Sequence, residues 1–214
     1  MDQSLRITEI FYSLQGEANT VGLPTVFIRL TGCPLRCSYC DTAYAFSGGE
    51  KLSIEQILQQ VAEYKTRYVT VTGGEPLAQP GCNALMNRLL DAGYHVSLET
   101  SGALDVSMVD SRVSKVMDLK TPSSGEMERN RYDNIHYLTE HDQVKFVIAD
   151  AVDYEWAKQQ LELYRLTEHC QILFSPVMDV MSATELAERI LADQLQVRFQ
   201  IQLHKFLWND ARGK

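Results

Sequence analysis

Short apolar, β-branched runs alternate with segments of helical periodicity along almost the whole chain, and no other feature constrains the fold as much. The strand candidates are Val26 to Leu30, Tyr68 to Val71, Val96 to Leu98, Val113 to Leu119, Val144 to Ile148, Ile172 to Phe174 and Val197 to Gln200. Between them, apolar residues recur at helical spacing at Ile54, Ile57, Leu58 and Val61, then at Leu85, Leu89 and Leu90. The same spacing returns at Trp156, Leu161 and Tyr164, and at Leu186, Ile190 and Leu191. Ser53 ahead of Ile54-Glu55-Gln56 reads as a capping box, and Gly93 as the stop of the second helix. Repeated strand-helix alternation implies a mainly parallel sheet with right-handed crossovers. About six strand-helix units fall short of a closed eight-fold barrel. The expected fold is therefore α/β, an incomplete, open (β/α) barrel, with a flatter doubly wound sheet as the competing architecture. No linker, internal repeat or charge block divides residues 1–214, so the chain reads as a single domain.

The charge balance narrows the partners. Twenty Lys and Arg stand against 28 Asp and Glu, a net charge of −8 that repels a phosphate backbone and an anionic membrane surface. Neither direct nucleic-acid binding nor a membrane surface is expected. Residues 1–12 show no continuous apolar signal core, and no apolar run reaches spanning length, which points to a cytoplasmic protein. The five cysteines are an odd number, and three of them fall within eight residues, which suits metal ligation in a reducing compartment better than disulfides. Cys82 and Cys170 stand apart and read as buried structural thiols.

The first strong strand candidate runs directly into Thr31-Gly32-Cys33-Pro34-Leu35-Arg36-Cys37-Ser38-Tyr39-Cys40-Asp41-Thr42. Three thiolates at C-x-x-x-C-x-x-C spacing can hold three irons of a 4Fe-4S cubane and leave the fourth without a protein ligand. That vacant iron is where the amino and carboxylate groups of S-adenosylmethionine can bind and the sulfonium can be cleaved reductively. A zinc-stabilised binding module without catalysis is the competing reading, and it needs a fourth ligand from elsewhere in the chain. Farther on, Val69-Thr70-Val71-Thr72-Gly73-Gly74-Glu75-Pro76 is a strand ending in paired glycines, where backbone can approach a ligand closely.

With Tyr39 before the last cysteine and Gly73-Gly74-Glu75-Pro76 downstream, the pattern is similar to the radical S-adenosylmethionine superfamily. Flanking motifs narrow the resemblance: Phe11-Tyr12-Ser13-Leu14-Gln15-Gly16-Glu17, Gly22 to Leu30, Cys40-Asp41-Thr42, Glu99-Thr100-Ser101-Gly102 and Gln202 to Trp208. Together they resemble the 7-carboxy-7-deazaguanine synthase family. The resemblance implies conversion of 6-carboxy-5,6,7,8-tetrahydropterin to 7-carboxy-7-deazaguanine with loss of ammonia, on the route to queuosine and other deazapurines. It assigns the cluster to Cys33, Cys37 and Cys40, and Mg²⁺ to Thr42. S-adenosylmethionine contacts fall on Tyr39, Cys40, Asp41, Gly74, Glu75, Asp118, Leu119 and Lys120. Substrate contacts fall on Leu14, Gln15, Gly16, Arg29, Thr72 and His204. The resemblance further implies a flavodoxin-like or ferredoxin-like reductant and a homodimer.

A guanidinium suits the substrate carboxylate because its fork forms paired charge-assisted hydrogen bonds, and Arg29 sits inside an apolar strand pattern where an unpaired charge is costly. Asp118-Leu119-Lys120 departs from the Ser-Pro-Lys of many relatives, and Ser175-Pro176 from a common Gln-Pro pair, so side-chain roles there are not carried over. The tail from Asn209 to Lys214 varies in the family. The nearest rival activity is that of a glycyl-radical activase, which shares the cysteine spacing but needs a protein-docking groove.

Overall fold

A computed structural model describes residues 4–209 and 211–214. Its strands are β1 (Ser4–Leu14), β2 (Pro24–Leu30), β3 (Glu50–Ser53), β4 (Tyr68–Gly73), β5 (His95–Thr100), β6 (Ser114–Asp118), β7 (Gln143–Ile148), β8 (Gln171–Pro176) and β9 (Arg198–Phe199). They form one sheet in the order β3-β1-β2-β4-β5-β6-β7-β8-β9. From β2 to β9 every pairing is parallel, while β1 runs antiparallel to both β2 and β3. The sheet is open, with β3 and β9 at its edges.

The helices are α1 (Ile54–Ala62), α2 (Cys82–Asp91), α3 (Ala151–Leu163), α4 (Ala183–Ala192) and α5 (Leu203–Trp208). The capping box at Ser53 forms as expected: its hydroxyl accepts from the Gln56 amide at 3.2 Å, and the Gln56 side chain accepts from the Ser53 amide at 2.8 Å. Gly93, at φ +89°, ends α2 by returning its N–H to the Leu90 carbonyl. Asp150 and Ser182 cap α3 and α4 by accepting from the amides three residues on. Among the described residues no helix is long and apolar enough to cross a membrane.

The four helical patterns of the sequence correspond to α1 through α4, and each expected strand overlaps an observed one. Strands β1 and β3 and helix α5 were not expected from periodicity. Strand β1, SLRITEIFYSL, shows no regular alternation because a register shift between Ile7 and Glu9 interrupts its pairing with β2. The β5–β6 crossover has no α-helix, and the β6–β7 crossover consists of short 3-10 turns at Pro122–Ser124, Met127–Arg129 and Tyr132–Tyr137. Polar, Pro- and Gly-containing segments such as Thr121 to Gly125 cannot sustain an apolar helical face.

The apolar core lies mainly between the sheet and its outer helices, in two halves. Leu5, Ile28, Val71 and Leu98 pack with Ile57 and Leu85 of α1 and α2, while Met117, Phe146 and Phe174 pack with Tyr154 and Leu186 of α3 and α4. The other face of the sheet lines the barrel interior. Its lower part is closed by Ala18, Val116 and Leu173. Ala18 belongs to the β1–β2 loop, whose Gly16 carbonyl accepts from Leu203 and whose Ala18 amide donates to the Gln200 side chain, so the carboxyl-terminal segment packs over this plug.

Candidate active site

Side chains alternate along a strand, so the residues facing the interior are set by register. Pairing of β2 with β4 puts Arg29 beside Thr72, and pairing of β6 with β7 puts Asp118 beside Lys145. Thr72 donates its hydroxyl to Glu99 of β5 at 3.0 Å. These residues line a cavity of about 810 Å³ at the carboxyl ends of the parallel strands, the place where α/β sheets bind ligands.

The cysteine loop forms one wall. Cys33, Cys37 and Cys40 are unpaired, partly exposed and line the cavity together with Tyr39, Asp41 and Thr42. Gly74 is packed so closely against this loop that a methyl group on it would lie 2.6 Å from Cys33 Cβ and collide with the Gly32 carbonyl. The paired glycines thus allow the end of β4 and the ligand loop to touch. Among the described residues no three His, Cys, Asp or Glu side chains converge on one ion; a cubane asks instead that each thiolate reach a different iron. Cys82 and Cys170 are buried in the two outer cores and line no part of the cavity. Burial raises the thiol pKa values of Cys33 and Cys37, with the charge of Glu75 adding to it at Cys33. Iron binding there must therefore displace protons. The donor set, its exposure and its place on the cavity wall fit a cluster held by three thiolates.

The cavity lining also carries a buried charge network, of which sequence reading singled out Asp118 and Lys120 but gave no role to Glu17, Glu99 and Lys145. Lys145 Nζ lies 2.6 Å from Glu17 and 3.8 Å from Asp118. Burial works against the charge of Glu17, but the Lys145 ammonium outweighs it and holds the carboxyl below its ordinary pKa. For Glu99, burial and the neighbouring Glu17 charge raise the pKa despite Lys145 and the Thr72 hydrogen bond. Lys120 pairs with Asp118 at 2.9 Å, and the second Asp118 oxygen is buried without a partner among the described residues. That orphaned acceptor on the cavity wall fits a ligand carrying a hydrogen-bond donor. Burial pushes the Tyr39 phenol up to about 12, with Asp118 contributing, so it stays protonated.

Helix α5 closes a further side. Lys205 pairs with Asp41 at 2.9 Å, Gln202 donates to the same carboxylate at 3.3 Å, and Thr42 donates to its other oxygen at 2.8 Å. Burial alone would raise the Asp41 pKa, but the Lys205 ammonium holds it well below the usual carboxylate range. His204 packs on Gly16, where a methyl group would strike the imidazole ring. Ala211 to Lys214 reach the cavity as well.

The expected site residues are therefore gathered in one place, with two exceptions. Glu75 is 0% exposed and spends its carboxylate on Thr100, Ser101 and the Leu77 amide, tying the glycine turn to the end of β5 behind the cavity wall. Leu119 packs its side chain into the second outer core. Of the residues that sequence reading left without a role, Glu17, Glu99, Lys145 and Lys205, only Glu99 and Lys145 carry a usable signal. Thr70-x-Thr72, Ser97-x-Glu99 and Lys145 are polar at every second position of otherwise apolar strands, which marks a wet inner face.

An open α/β barrel with three cysteines on the loop after its first parallel strand defines a radical S-adenosylmethionine enzyme, and residues 27–120 match the Radical SAM superfamily. The chain is 45% identical over 213 residues to a 7-carboxy-7-deazaguanine synthase of Chlorobaculum tepidum, covering 98% of this chain and 97% of that one. A 7-carboxy-7-deazaguanine synthase of Koribacter versatilis is 40% identical over 219 residues, covering 95% and 97%. The solved structure of QueE from Escherichia coli superposes with a TM-score of 0.78 at 25% identity, covering 95% of this chain and 97% of that one. The chain belongs to the 7-carboxy-7-deazaguanine synthase family.

Proposed function

We propose that this protein, acting as one domain over residues 1–214, converts 6-carboxy-5,6,7,8-tetrahydropterin to 7-carboxy-7-deazaguanine with loss of ammonia. The observation that carries the reading is that one cavity joins the cysteine loop and glycine turn to Arg29, Thr72, Gln15 and His204. When bound, the 4Fe-4S cluster and S-adenosylmethionine supply one-electron cleavage to a 5′-deoxyadenosyl radical.

The chain's own residues bind, orient and screen. Cys33, Cys37 and Cys40 hold the cluster. Gly74, Tyr39, Asp41 and the Asp118–Lys120 strand end line the space beside it and receive S-adenosylmethionine, with Asp118 offering its free oxygen. Arg29 takes the substrate carboxylate, and Thr72, Leu14, Gln15 and Gly16 bound the ring. Gln15 is held in place by its hydrogen bond to Thr70 at 3.0 Å and by the Glu17 amide at 3.2 Å. Fixing the substrate in this way limits side reactions of a radical, and α5 with His204 helps exclude water. Thr42 supplies a hydroxyl oxygen to Mg²⁺, whose other ligands are water and substrate oxygens.

A flavodoxin-like or ferredoxin-like protein delivers the electron, the enzyme is a cytoplasmic homodimer, and its product feeds queuosine synthesis; the family resemblance supports these points. The test is an anaerobic incubation of cluster-loaded protein with the carboxytetrahydropterin, S-adenosylmethionine and reductant, read by mass spectrometry. The expected result is 7-carboxy-7-deazaguanine and released ammonia. Cofactor cleavage without any deazaguanine would overturn the reading.

A further inference from the structure

Arg29 does not stand alone on the inner face. It sits opposite Glu9 in the β1–β2 pairing, and the register shifts between Ile7 and Glu9. That shift is a β-bulge with Thr8 as the extra residue, and a bulge reverses which face the following side chains occupy. Before it, Leu5 and Ile7 point into the outer core; after it, Ile10 packs on that core while Phe11 lines the cavity. Without the bulge Glu9 would face the apolar core. With it, Glu9 Oε1 accepts from Arg29 Nε at 2.7 Å and from the Tyr44 hydroxyl at 2.7 Å. The side chains of Arg29 and Glu9 are only 16% and 20% exposed. The guanidinium also lies over the rings of Phe11 and Tyr44, at 5.7 and 5.9 Å from their centroids.

We infer that Glu9 is a positioning residue: held by Tyr44, it occupies the Nε side of Arg29 and so presents the guanidinium's terminal edge to the cavity. A guanidinium can bind a carboxylate through its Nε side or through its two terminal nitrogens. Glu9 takes up the first, and among the described residues the terminal nitrogens have no hydrogen-bond acceptor. The aromatic faces of Phe11 and Tyr44 restrict the plane in which that edge can swing. The arrangement selects a ligand with a planar pair of anionic oxygens presented end-on. This deepens the proposed function and rests on its assignment of Arg29 to the substrate carboxylate.

The experiment compares binding of the carboxytetrahydropterin with that of tetrahydropterin lacking the carboxylate, by anaerobic calorimetry on cluster-loaded enzyme with S-adenosylmethionine. The ratio of the two affinities is the readout, with iron content and melting temperature checked for every variant. Glu9→Ala should reduce the ratio about tenfold, the effect of losing one well-placed charged contact. Glu9→Gln keeps an oxygen at the accepting position and should stay within about threefold of wild type. Arg29→Met should abolish the preference.

If Arg29→Met abolishes it but Glu9→Ala leaves it intact, the positioning role is wrong and the assignment of Arg29 stands. If Arg29→Met leaves it intact, the assignment of Arg29 itself fails. A loss in Glu9→Gln as large as in Glu9→Ala would show that charge and not orientation matters, and would overturn the inference. Should Glu9→Ala not fold, Glu9→Asp carries the test, because its shorter side chain cannot keep the same bond to Nε. The same loss is expected, and an undiminished preference overturns the proposal.

Discussion

Replacing Lys145 by Met tests the buried network at the cavity floor. The ammonium lies 2.6 Å from Glu17 and 3.8 Å from Asp118, with side chains 12%, 8% and 16% exposed, respectively. At an effective dielectric of about 20 these separations correspond to attractions of roughly 6 and roughly 4 kcal/mol. Desolvation of the ammonium offsets much of that sum, so truncation should cost about 3–5 kcal/mol, the range for removing one member of a buried pair. For a chain of this size that is on the order of 10 °C in melting temperature.

The sign of its pH dependence follows from the charges left behind. In the wild type, burial opposes the Lys145 charge, but Glu17, Asp118 and Glu99 outweigh it and raise its pKa. Its contribution is thus present at every pH below the ordinary lysine value and is lost only as pH rises through the folded one. In Lys145→Met the buried Glu17 carboxylate loses the cation that holds its pKa down, and protonating it relieves the cost. The deficit should be full at about pH 8 and smaller at about pH 5. Anaerobic denaturant titrations of cluster-loaded protein at both pH values provide the assay, and Glu17→Gln in the same background should restore part of the loss. A deficit under about 1 kcal/mol at the higher pH, or one equal at both, would refute the electrostatic account.

Alanine at Cys33, Cys37 or Cys40 should remove most of the bound iron and all cofactor cleavage, whereas Cys82→Ala should keep the iron; iron and sulfide assays decide. Gly74→Ala should lower iron content several-fold, because the added methyl displaces Cys33, and full occupancy would contradict the close packing. Glu99→Gln removes a buried carboxylate whose pKa is raised, so in wild type the favourable neutral form exists below the ordinary glutamate range and is lost as pH rises through the folded value. The variant should accordingly gain stability at neutral pH and show no gain in acid when melted across pH. Thr42→Ala should blunt the response of turnover to added Mg²⁺ while leaving the cluster absorbance unchanged; an unaltered Mg²⁺ titration would exclude the metal role.

The sequence by itself determined the outer half of this protein and the ligand loop. Apolar periodicity is written where helices pack on the sheet, so α1 to α4 and the parallel strands were legible. The cysteine loop was legible for a different reason: its three thiols fall within eight residues, so one short loop sets their spacing. Only the tertiary structure decided the cavity floor and the setting of Arg29. Glu17, Glu99, Asp118 and Lys145 come from four separate segments, and their pairing depends on strand register, which no local pattern encodes. Glu75 shows the converse: its motif suggests a ligand contact, yet the fold buries it as the acceptor that ties two strand ends together. The bulge at Thr8 turns Glu9 toward Arg29; one unpaired residue in an antiparallel ladder reverses the parity of a strand, and parity is a property of the partner strand as much as of the sequence itself.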